Sequence, residues 1–169
     1  IVGLGTIGGA VGARLGGWDT TLIGLTRSPG AYRGRVRDVR PLSALRQTFA
    51  EASVAIVAVP STPQTRHLVG SAELDALGEG WLVNVARGAV VDEQALVERL
   101  ADGRLRGAGL DVTEVEPPPA DSPLWDLPTV VLSPHRAGLS PGYGARFARL
   151  LAENLAAFRG AGPWRNRIC

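Results

Sequence analysis

The chain has 169 residues, enough for one domain with a sizeable core, and 45% hydrophobic against 20% charged residues is typical of a folded protein. Its 18 basic residues are all arginine, which excludes any site that needs a lysine, and the net charge is only +2. One cysteine, Cys169, and two histidines, His67 and His135, exclude a disulfide framework and a Cys/His zinc cluster, so we expect no metal site and a reducing, cytoplasmic compartment.

Short apolar runs alternate with segments of helical pattern. The predicted strands are Ile1–Leu4, Thr21–Leu25, Val54–Val59, Trp81–Val85, Gly107–Asp111 and Thr129–Leu132. The predicted helices are Ile7–Leu15, Leu42–Ala50, Asp92–Ala101 and Pro141–Arg159, with Asp92 as an N-cap and Gly103 in the turn after the third helix. Residues 116 to 128 include five prolines and are predicted to form an ordered loop. The alternation predicts an α/β fold with a doubly wound parallel sheet.

A glycine-rich turn follows the first predicted strand. Gly3, Gly5 and Gly8 match the pattern G-x-G-x-x-G, with Thr6 and Ile7 opening the helix. In such a turn the first glycine allows the tight bend, the second lets a pyrophosphate approach the backbone, and the third lets helix and strand pack closely. This predicts a dinucleotide-binding domain of the Rossmann type, although a glycine-rich turn in a glycine-rich chain is the simpler alternative.

The end of the second predicted strand bears on the choice of dinucleotide. A site selective for NAD has Asp or Glu there to accept hydrogen bonds from the ribose, whereas this chain has Arg27 and Ser28. A guanidinium and a hydroxyl suit a 2′-phosphate, so NADP is preferred over NAD. The alternative, that Arg27 is a solvated loop charge among several arginines, stays open.

Three side chains in the second half suit the reduction of a 2-oxo acid. Arg87 and His135 each follow a predicted strand, and Glu116 begins the proline-rich segment. An arginine can bind a carboxylate in a bidentate manner, a histidine exchanges a proton near neutral pH, and a carboxylate can orient that histidine. Because carboxyl ends of parallel strands share one sheet edge, we expect Arg87 and His135 to converge there.

Five motifs resemble the D-isomer-specific 2-hydroxyacid dehydrogenases, in order and spacing. They are Asn84-Val85-Ala86-Arg87-Gly88, Gly107-Ala108-Gly109-Leu110-Asp111-Val112, Glu116-Pro117, Ser122-Pro123-Leu124-Trp125 and Ser133-Pro134-His135-Arg136-Ala137-Gly138. The resemblance covers nearly the whole chain. Three departures from the family pattern are the end of the second predicted strand, where the family usually has a longer or acidic motif, Ser61, where it usually has a bulky apolar residue, and Arg136, where it usually has isoleucine or a similar residue.

The resemblance implies a role for each matching residue. Arg87 binds the substrate carboxylate, His135 is the acid and base, and Glu116 pairs with that histidine. Asp111 lies near the nicotinamide carboxamide. The remaining implied cofactor-binding residues are Thr6 and Ile7 at the pyrophosphate, Val59, Pro60 and Thr65 on the adenosine side, and Val85, Ala86 and Gly138 within the motifs. His67 lies outside these motifs and is interpreted as a surface or supporting residue.

The resemblance also implies what the chain acts on and how it is organised. We expect hydride transfer between NAD(P) and a small 2-oxo or 2-hydroxy acid, as in glyoxylate/hydroxypyruvate reductases. Phosphoglycerate or D-lactate dehydrogenase and a non-enzymatic, NAD(P)-sensing scaffold similar to corepressors are alternatives. Residues 1–160 are expected to form the cofactor domain and 161–169 to begin a tail to an absent substrate domain, so that the chain is an inactive fragment. The family implies a homodimer, and nothing in the composition favours nucleic acid or membrane as a partner.

Overall fold

The structure, a computed structural model that describes residues 1–166, consists of two units. The last three residues of the predicted tail, which include Cys169, lie outside the described residues. The first unit is Ile1–His135, and the second begins at Arg136. The strands of the first unit are β1 (Ile23–Thr26), β2 (Asp38–Pro41), β3 (Val54–Val57), β4 (Trp81–Asn84), β5 (Gly107–Leu110) and β6 (Val130–Leu132). Its helices are α1 (Thr6–Leu15), α2 (Leu45–Ala50), α3 (Ser71–Leu77) and α4 (Glu93–Ala101), with short 3-10 turns at Pro29–Ala31, Leu42–Ala44, Gly88–Val90 and Pro123–Trp125.

A single residue joins the two groups of parallel strands. β1 pairs with β2, β3 to β6 pair in sequence order, and Val2 forms parallel bridges to both Leu25 and Val57. The predicted strand Ile1–Leu4 is therefore wrong in length, because Gly3 adopts φ +94° and turns the chain directly after Val2. The parallel α/β fold is confirmed.

The direction of strand addition reverses at Val2. From this position the chain builds β1 and β2 to one side and β3 to β6 to the other. Right-handed crossovers that run in opposite directions place their helices on opposite faces of the sheet. Helix α3 packs against both α2 and α4. Ligands of such sheets bind beyond the carboxyl ends of the strands at this reversal point, which is where the glycine-rich turn begins.

The core lies between the sheet and helices α2 to α4. Val57 and Leu82 from central strands are fully buried, as are Phe49, Leu74 and Leu96 from the three helices. Burial of such side chains is the dominant stabilising contribution to the fold.

The residues predicted at the two ends of the helix Asp92–Ala101, which is α4 in the structure, are confirmed. The Asp92 side chain accepts a hydrogen bond from the Ala95 amide at 3.1 Å. Gly103 adopts φ +75° just beyond the C-terminal residues of α4.

Two elements were not predicted. β2 contains Asp38, Arg40 and Pro41, so it lacks an apolar run, and as an edge strand it tolerates these residues. Arg40 binds both Asp38 and Glu51, which holds the pKa of each carboxyl group below its usual value. The seven-residue helix α3 was missed because only one or two turns carry its apolar pattern.

The second unit contains α5 (Tyr143–Phe158), slightly shorter than the predicted helix. The side-chain amide of Asn154 bonds to both the amide and the carbonyl of Arg165, which fixes the segment after the helix. Within residues 1–166, no helix combines the length and apolar character needed to cross a membrane.

Candidate active site

The glycine-rich turn is shaped so that its backbone is both closely packed and accessible. A methyl group on Gly8 would lie 1.8 Å from the Gly3 carbonyl oxygen, and one on Gly3 would lie 2.7 Å from the Ala58 carbonyl oxygen. A methyl group on Gly5 would meet no atom within 4 Å. Gly3 and Gly8 are therefore required by packing, whereas Gly5 leaves an open approach to the N-terminus of α1. This arrangement fits the pyrophosphate of a dinucleotide, whose charge the unpaired amides of the first turn favour.

Arg27 and Ser28 lie beside this turn. The Gly3 amide donates to the Leu25 carbonyl at 2.8 Å, and the two polar residues follow β1 immediately, with both side chains exposed. No Asp or Glu occurs from residue 20 to residue 37. Within the described part of the chain, the Arg27 guanidinium has no hydrogen-bond or ion-pair partner. The site is therefore positively charged where NAD-selective sites are negative.

The residues predicted on the adenosine side, Val59, Pro60 and Thr65, lie in the loop after β3. Val59 is buried, with a methyl carbon 2.8 Å from the Cβ position of Gly3. The Thr65 hydroxyl is buried and donates to the Pro60 carbonyl at 2.7 Å, while it accepts from the Thr62 amide at 2.8 Å. In this structure Thr65 thus shapes the loop through internal hydrogen bonds.

The side chains of His135 and Glu116 are hydrogen-bonded to each other, as the resemblance implies. The Nδ1 atom of His135 is 2.7 Å from Oε2 of Glu116, and the two side chains are 45% and 36% exposed. They line a cavity of about 430 Å³, together with Pro117, Trp125 and Ser133. A carboxylate on Nδ1 fixes the imidazole so that Nε2 is the nitrogen available for proton exchange.

The main chain around Asp111 holds this histidine in place. His135 has φ +51°, and its amide donates to the Asp111 carbonyl at 2.9 Å. The Ser133 hydroxyl donates to the Asp111 carboxylate, and the Asp111 amide donates to the Asn84 carbonyl at 3.0 Å. Asp111 is therefore a buried link between the loops that follow β4, β5 and β6.

Arg87 lies at the same edge of the sheet, in a turn fixed by Asn84. The Asn84 amide nitrogen donates to the Arg87 carbonyl at 3.1 Å, and its oxygen accepts from the Ala86 amide at 3.0 Å. The exposed Arg87 side chain donates to the carbonyl of Ala86 at 2.6 Å and does not line the cavity with His135. Val85 connects this turn to β3 by donating from its amide to the Val57 carbonyl at 3.2 Å.

The family whose model matches is described as D-isomer specific 2-hydroxyacid dehydrogenase, NAD binding domain, and the match covers residues 1–137. The chain belongs to this family. Glyoxylate reductase from Korarchaeum cryptofilum is 40% identical over 163 residues, which are 94% of this chain and 48% of that protein. Glyoxylate/hydroxypyruvate reductase B from Pectobacterium carotovorum is 38% identical over 93% of this chain and 49% of its own length. The chain spans about half the length of the curated relatives that it matches.

Solved structures of the 2-hydroxyacid dehydrogenase family superpose well on this chain. A member from Xanthobacter autotrophicus Py2 in complex with NADPH and MES gives a TM-score of 0.89 at 34% identity, covering 99% of this chain and 69% of that chain. The NADPH-dependent glyoxylate/hydroxypyruvate reductase from Sinorhizobium meliloti, in complex with NADP and malonate, gives 0.82 at 36% identity, covering 99% and 54%.

One contact of His67 near the candidate site was not predicted from the sequence. His67 Nε2 is 3.0 Å from Oε1 of Glu114, two residues before Glu116. Its sequence signal is weak, because both residues are polar loop residues that lie 47 positions apart. Of the other predicted cofactor-binding residues, Ala86 is buried, Thr6 and Ile7 are exposed at the start of α1, and Gly138 is an exposed residue of the second unit.

Proposed function

We propose that this chain is the cofactor-binding part of an NADPH-dependent oxidoreductase that reduces glyoxylate or hydroxypyruvate to the corresponding 2-hydroxy acid. The observation that carries the proposal is the 2.7 Å pair of His135 and Glu116 at the carboxyl edge of the sheet that also carries the glycine-rich turn. An imidazole paired with a carboxylate is a general acid for a carbonyl oxygen. The names of the relatives support this choice of substrate.

Different residues of the chain would bind the substrate, transfer the proton and hold the cofactor. NADPH, when bound, supplies the hydride that adds to the carbonyl carbon. Arg87 binds the substrate carboxylate, since a guanidinium matches its two oxygens and stays charged. His135 gives the proton on Nε2 to the carbonyl oxygen, and Glu116 stabilises the imidazolium from which that proton leaves and keeps Nδ1 protonated afterwards. Gly5, Thr6 and Ile7 would contact the pyrophosphate, while Gly3 and Gly8 shape the turn that admits it. The remaining predicted contacts are Val59, Pro60, Thr65, Val85, Ala86, Asp111 and Gly138.

NADPH is preferred to NADH in this proposal because of Arg27 and Ser28. The Arg27 guanidinium has no partner among residues 1–166 and, beside the Ser28 hydroxyl, would provide charge-assisted hydrogen bonds for the 2′-phosphate. No Asp or Glu occurs from residue 20 to residue 37 to repel that phosphate. The complexes of the two neighbours with NADPH and NADP support the same preference.

The organisation around this domain is also part of the proposal. Residues 1–160 bind the cofactor, and residues 161–169 begin the return to a substrate domain, in line with relatives about twice as long. A cytoplasmic location follows from the single cysteine, and a homodimer follows from the family resemblance.

The test is steady-state NADPH oxidation with glyoxylate and hydroxypyruvate in the complete protein. His135→Asn should lower kcat by about 100-fold or more, the usual range for loss of a general acid. Arg87→Ala should mainly raise KM for the 2-oxo acid, while Arg106→Ala, which removes an exposed arginine paired with Glu79, should change neither. The 169-residue chain alone should bind NADPH without turnover, since hydride transfer needs a closed cleft.

Two results would contradict the proposal. One is a His135→Asn protein that keeps more than about a tenth of its activity, since that loss is too small for a missing general acid. The other is a complete protein that binds NADPH but reduces no 2-oxo acid, which would favour a sensing scaffold.

A further inference from the structure

We propose that His67 is a positioning residue that holds the Glu116 segment against the Arg87 segment, so that Glu116 meets His135; the inference deepens the proposed function and rests on it for its catalytic consequence. The main chain of His67 is attached to the turn after β4, because its amide donates to the Ala89 carbonyl at 2.8 Å. Its side chain is attached to the loop after β5, through the 3.0 Å contact with Glu114. One residue therefore connects two of the loops that carry the candidate catalytic groups.

Several hydrogen bonds hold Glu114 in the loop after β5. Its amide donates to Oε2 of Glu93 at 2.7 Å, and its carboxylate accepts from Arg66 at 3.2 Å in addition to His67. The Thr113 hydroxyl donates to the Val115 carbonyl at 2.7 Å, which restrains the residue between Glu114 and Glu116. These bonds restrain the segment immediately before Glu116.

The two loops are also in direct contact beneath the ion pair. A methyl group on Gly88 would lie 1.9 Å from the Thr113 carbonyl oxygen and 2.4 Å from the Glu114 amide nitrogen. This close approach means that the Thr113–Glu116 segment rests on the turn that contains Arg87. The His67 side chain connects these packed loops from the outside, where its imidazole is 36% exposed.

The backbone of His67 restricts which residue types this position accepts. Its φ of +48° lies in the left-handed region, where glycine has no steric penalty and Asn, Asp and His are the best tolerated of the other residues. An exposed ion pair contributes little to the free energy of unfolding. Loss of the His67–Glu114 contact should therefore change the geometry at Glu116 more than it changes thermal stability.

The experiment uses two substitutions and one matched control. His67→Asn keeps a residue that tolerates positive φ but cannot span the distance to Glu114. Glu114→Gln keeps the shape of the side chain and removes its charge. Glu79→Gln is the control, because it makes the same change in an exposed glutamate that pairs with Arg106, outside the predicted site residues.

The first measurement is NMR of the 15N-histidine-labelled 169-residue chain, in which His67→Asn leaves only the His135 signals. We expect both substitutions to shift the His135 ring nitrogens and to speed the exchange of its Nδ1 proton with water severalfold, with Glu79→Gln unchanged. The second is kinetics of the complete protein, where kcat should fall about tenfold while the Kd for NADPH stays within about twofold, because misplaced catalytic groups lose rate and not cofactor affinity.

Unchanged His135 signals in both variants would overturn the inference, whatever happens to stability, and would leave His67 as a surface residue. A kcat within about twofold of the wild type in both variants would overturn its catalytic part. The NMR result does not depend on turnover, so it separates failure of this inference from failure of the proposed function.

Discussion

Gly8 is the position where a single methyl group tests the geometry of the cofactor turn. The substitution Gly8→Ala places a Cβ 1.8 Å from the Gly3 carbonyl oxygen, whereas Cβ atoms essentially never approach closer than 3.0 Å. The Cβ is attached to the main chain of α1 and would meet the main chain of Gly3, so α1 must move by more than about 1 Å relative to the turn. No side-chain rotation relieves the contact.

The expected loss of stability combines two opposing contributions. Overpacking of this kind costs about 3 kcal/mol, and replacing glycine by alanine inside a helix recovers up to about 1 kcal/mol. The net decrease in the free energy of unfolding is about 2 kcal/mol. For a chain of this size that lowers Tm by about 4–8 °C, which circular dichroism or differential scanning fluorimetry measures.

Two neighbouring glycines are matched controls for Gly8. Gly9→Ala lies in the same helix with its nearest atom 3.9 Å away, so it should be neutral or slightly stabilising. Gly5→Ala has open space and an ordinary φ of −73°, so Tm should stay within about 3 °C while NADPH affinity falls about tenfold or more, because the methyl group blocks the pyrophosphate. A Gly8→Ala protein that melts with the wild type, or a Gly5→Ala protein with full NADPH affinity, would refute this reasoning.

Three further substitutions test other parts of the structure. Arg27→Ala should weaken NADPH binding by about 10- to 100-fold and leave NADH within about twofold, measured by paired fluorescence titrations; equal losses for both cofactors would contradict a phosphate contact. Asn84→Ala should lower the free energy of unfolding by about 2–4 kcal/mol in urea titrations, because it leaves buried main-chain groups unpaired, whereas Asn154→Ala at the surface should cost less than about 1 kcal/mol. The Arg99 side chain lowers the pKa of Asp75, so this pair stabilises the fold above the unfolded value of about 3.8 and its contribution is lost as pH falls through the folded value. Asp75→Asn should therefore flatten the loss of stability below about pH 4, and an unchanged acid profile would contradict that contribution.

Periodicity and turn chemistry predicted the elements that bury apolar residues. β3, β4 and β5 are continuous apolar or small-residue runs, and alternate residues of these strands, such as Val57 and Leu82, are fully buried. Asp92 and Gly103 mark the ends of α4 by their capping chemistry. β2 was not predicted, because an edge strand with Asp38 and Arg40 is stabilised by pairing with β1 and by ion pairs that have no period in the sequence.

Candidate site residues could be proposed from the sequence only where they follow a predicted strand or belong to a known motif. Arg87 and His135 were found in this way, and the His135–Glu116 contact was found through the family resemblance. The internal bonds of Asn84 and the Glu114 partner of His67 were not found, because they depend on the path of loops between the strands. The left-handed backbone of His67 is imposed by the path of its loop in the folded chain, so no sequence pattern indicates it.

The proposed acid–base pair, His135 and Glu116, and the proposed carboxylate-binding residue, Arg87, differ in how much of their geometry this domain supplies. His135 is fixed by the pairing of β5 with β6, because Leu110 is opposite Leu132 and the loops that follow are joined through Asp111 and Ser133. Arg87 instead has its main chain fixed by Asn84, while its guanidinium donates to an ordinary peptide carbonyl. A substrate carboxylate is a stronger, bidentate acceptor than that carbonyl, so the guanidinium gains by exchanging partners when substrate arrives. Under the proposed function, the cofactor domain therefore fixes the proton-transfer pair in advance, whereas Arg87 would take its binding position only with substrate bound.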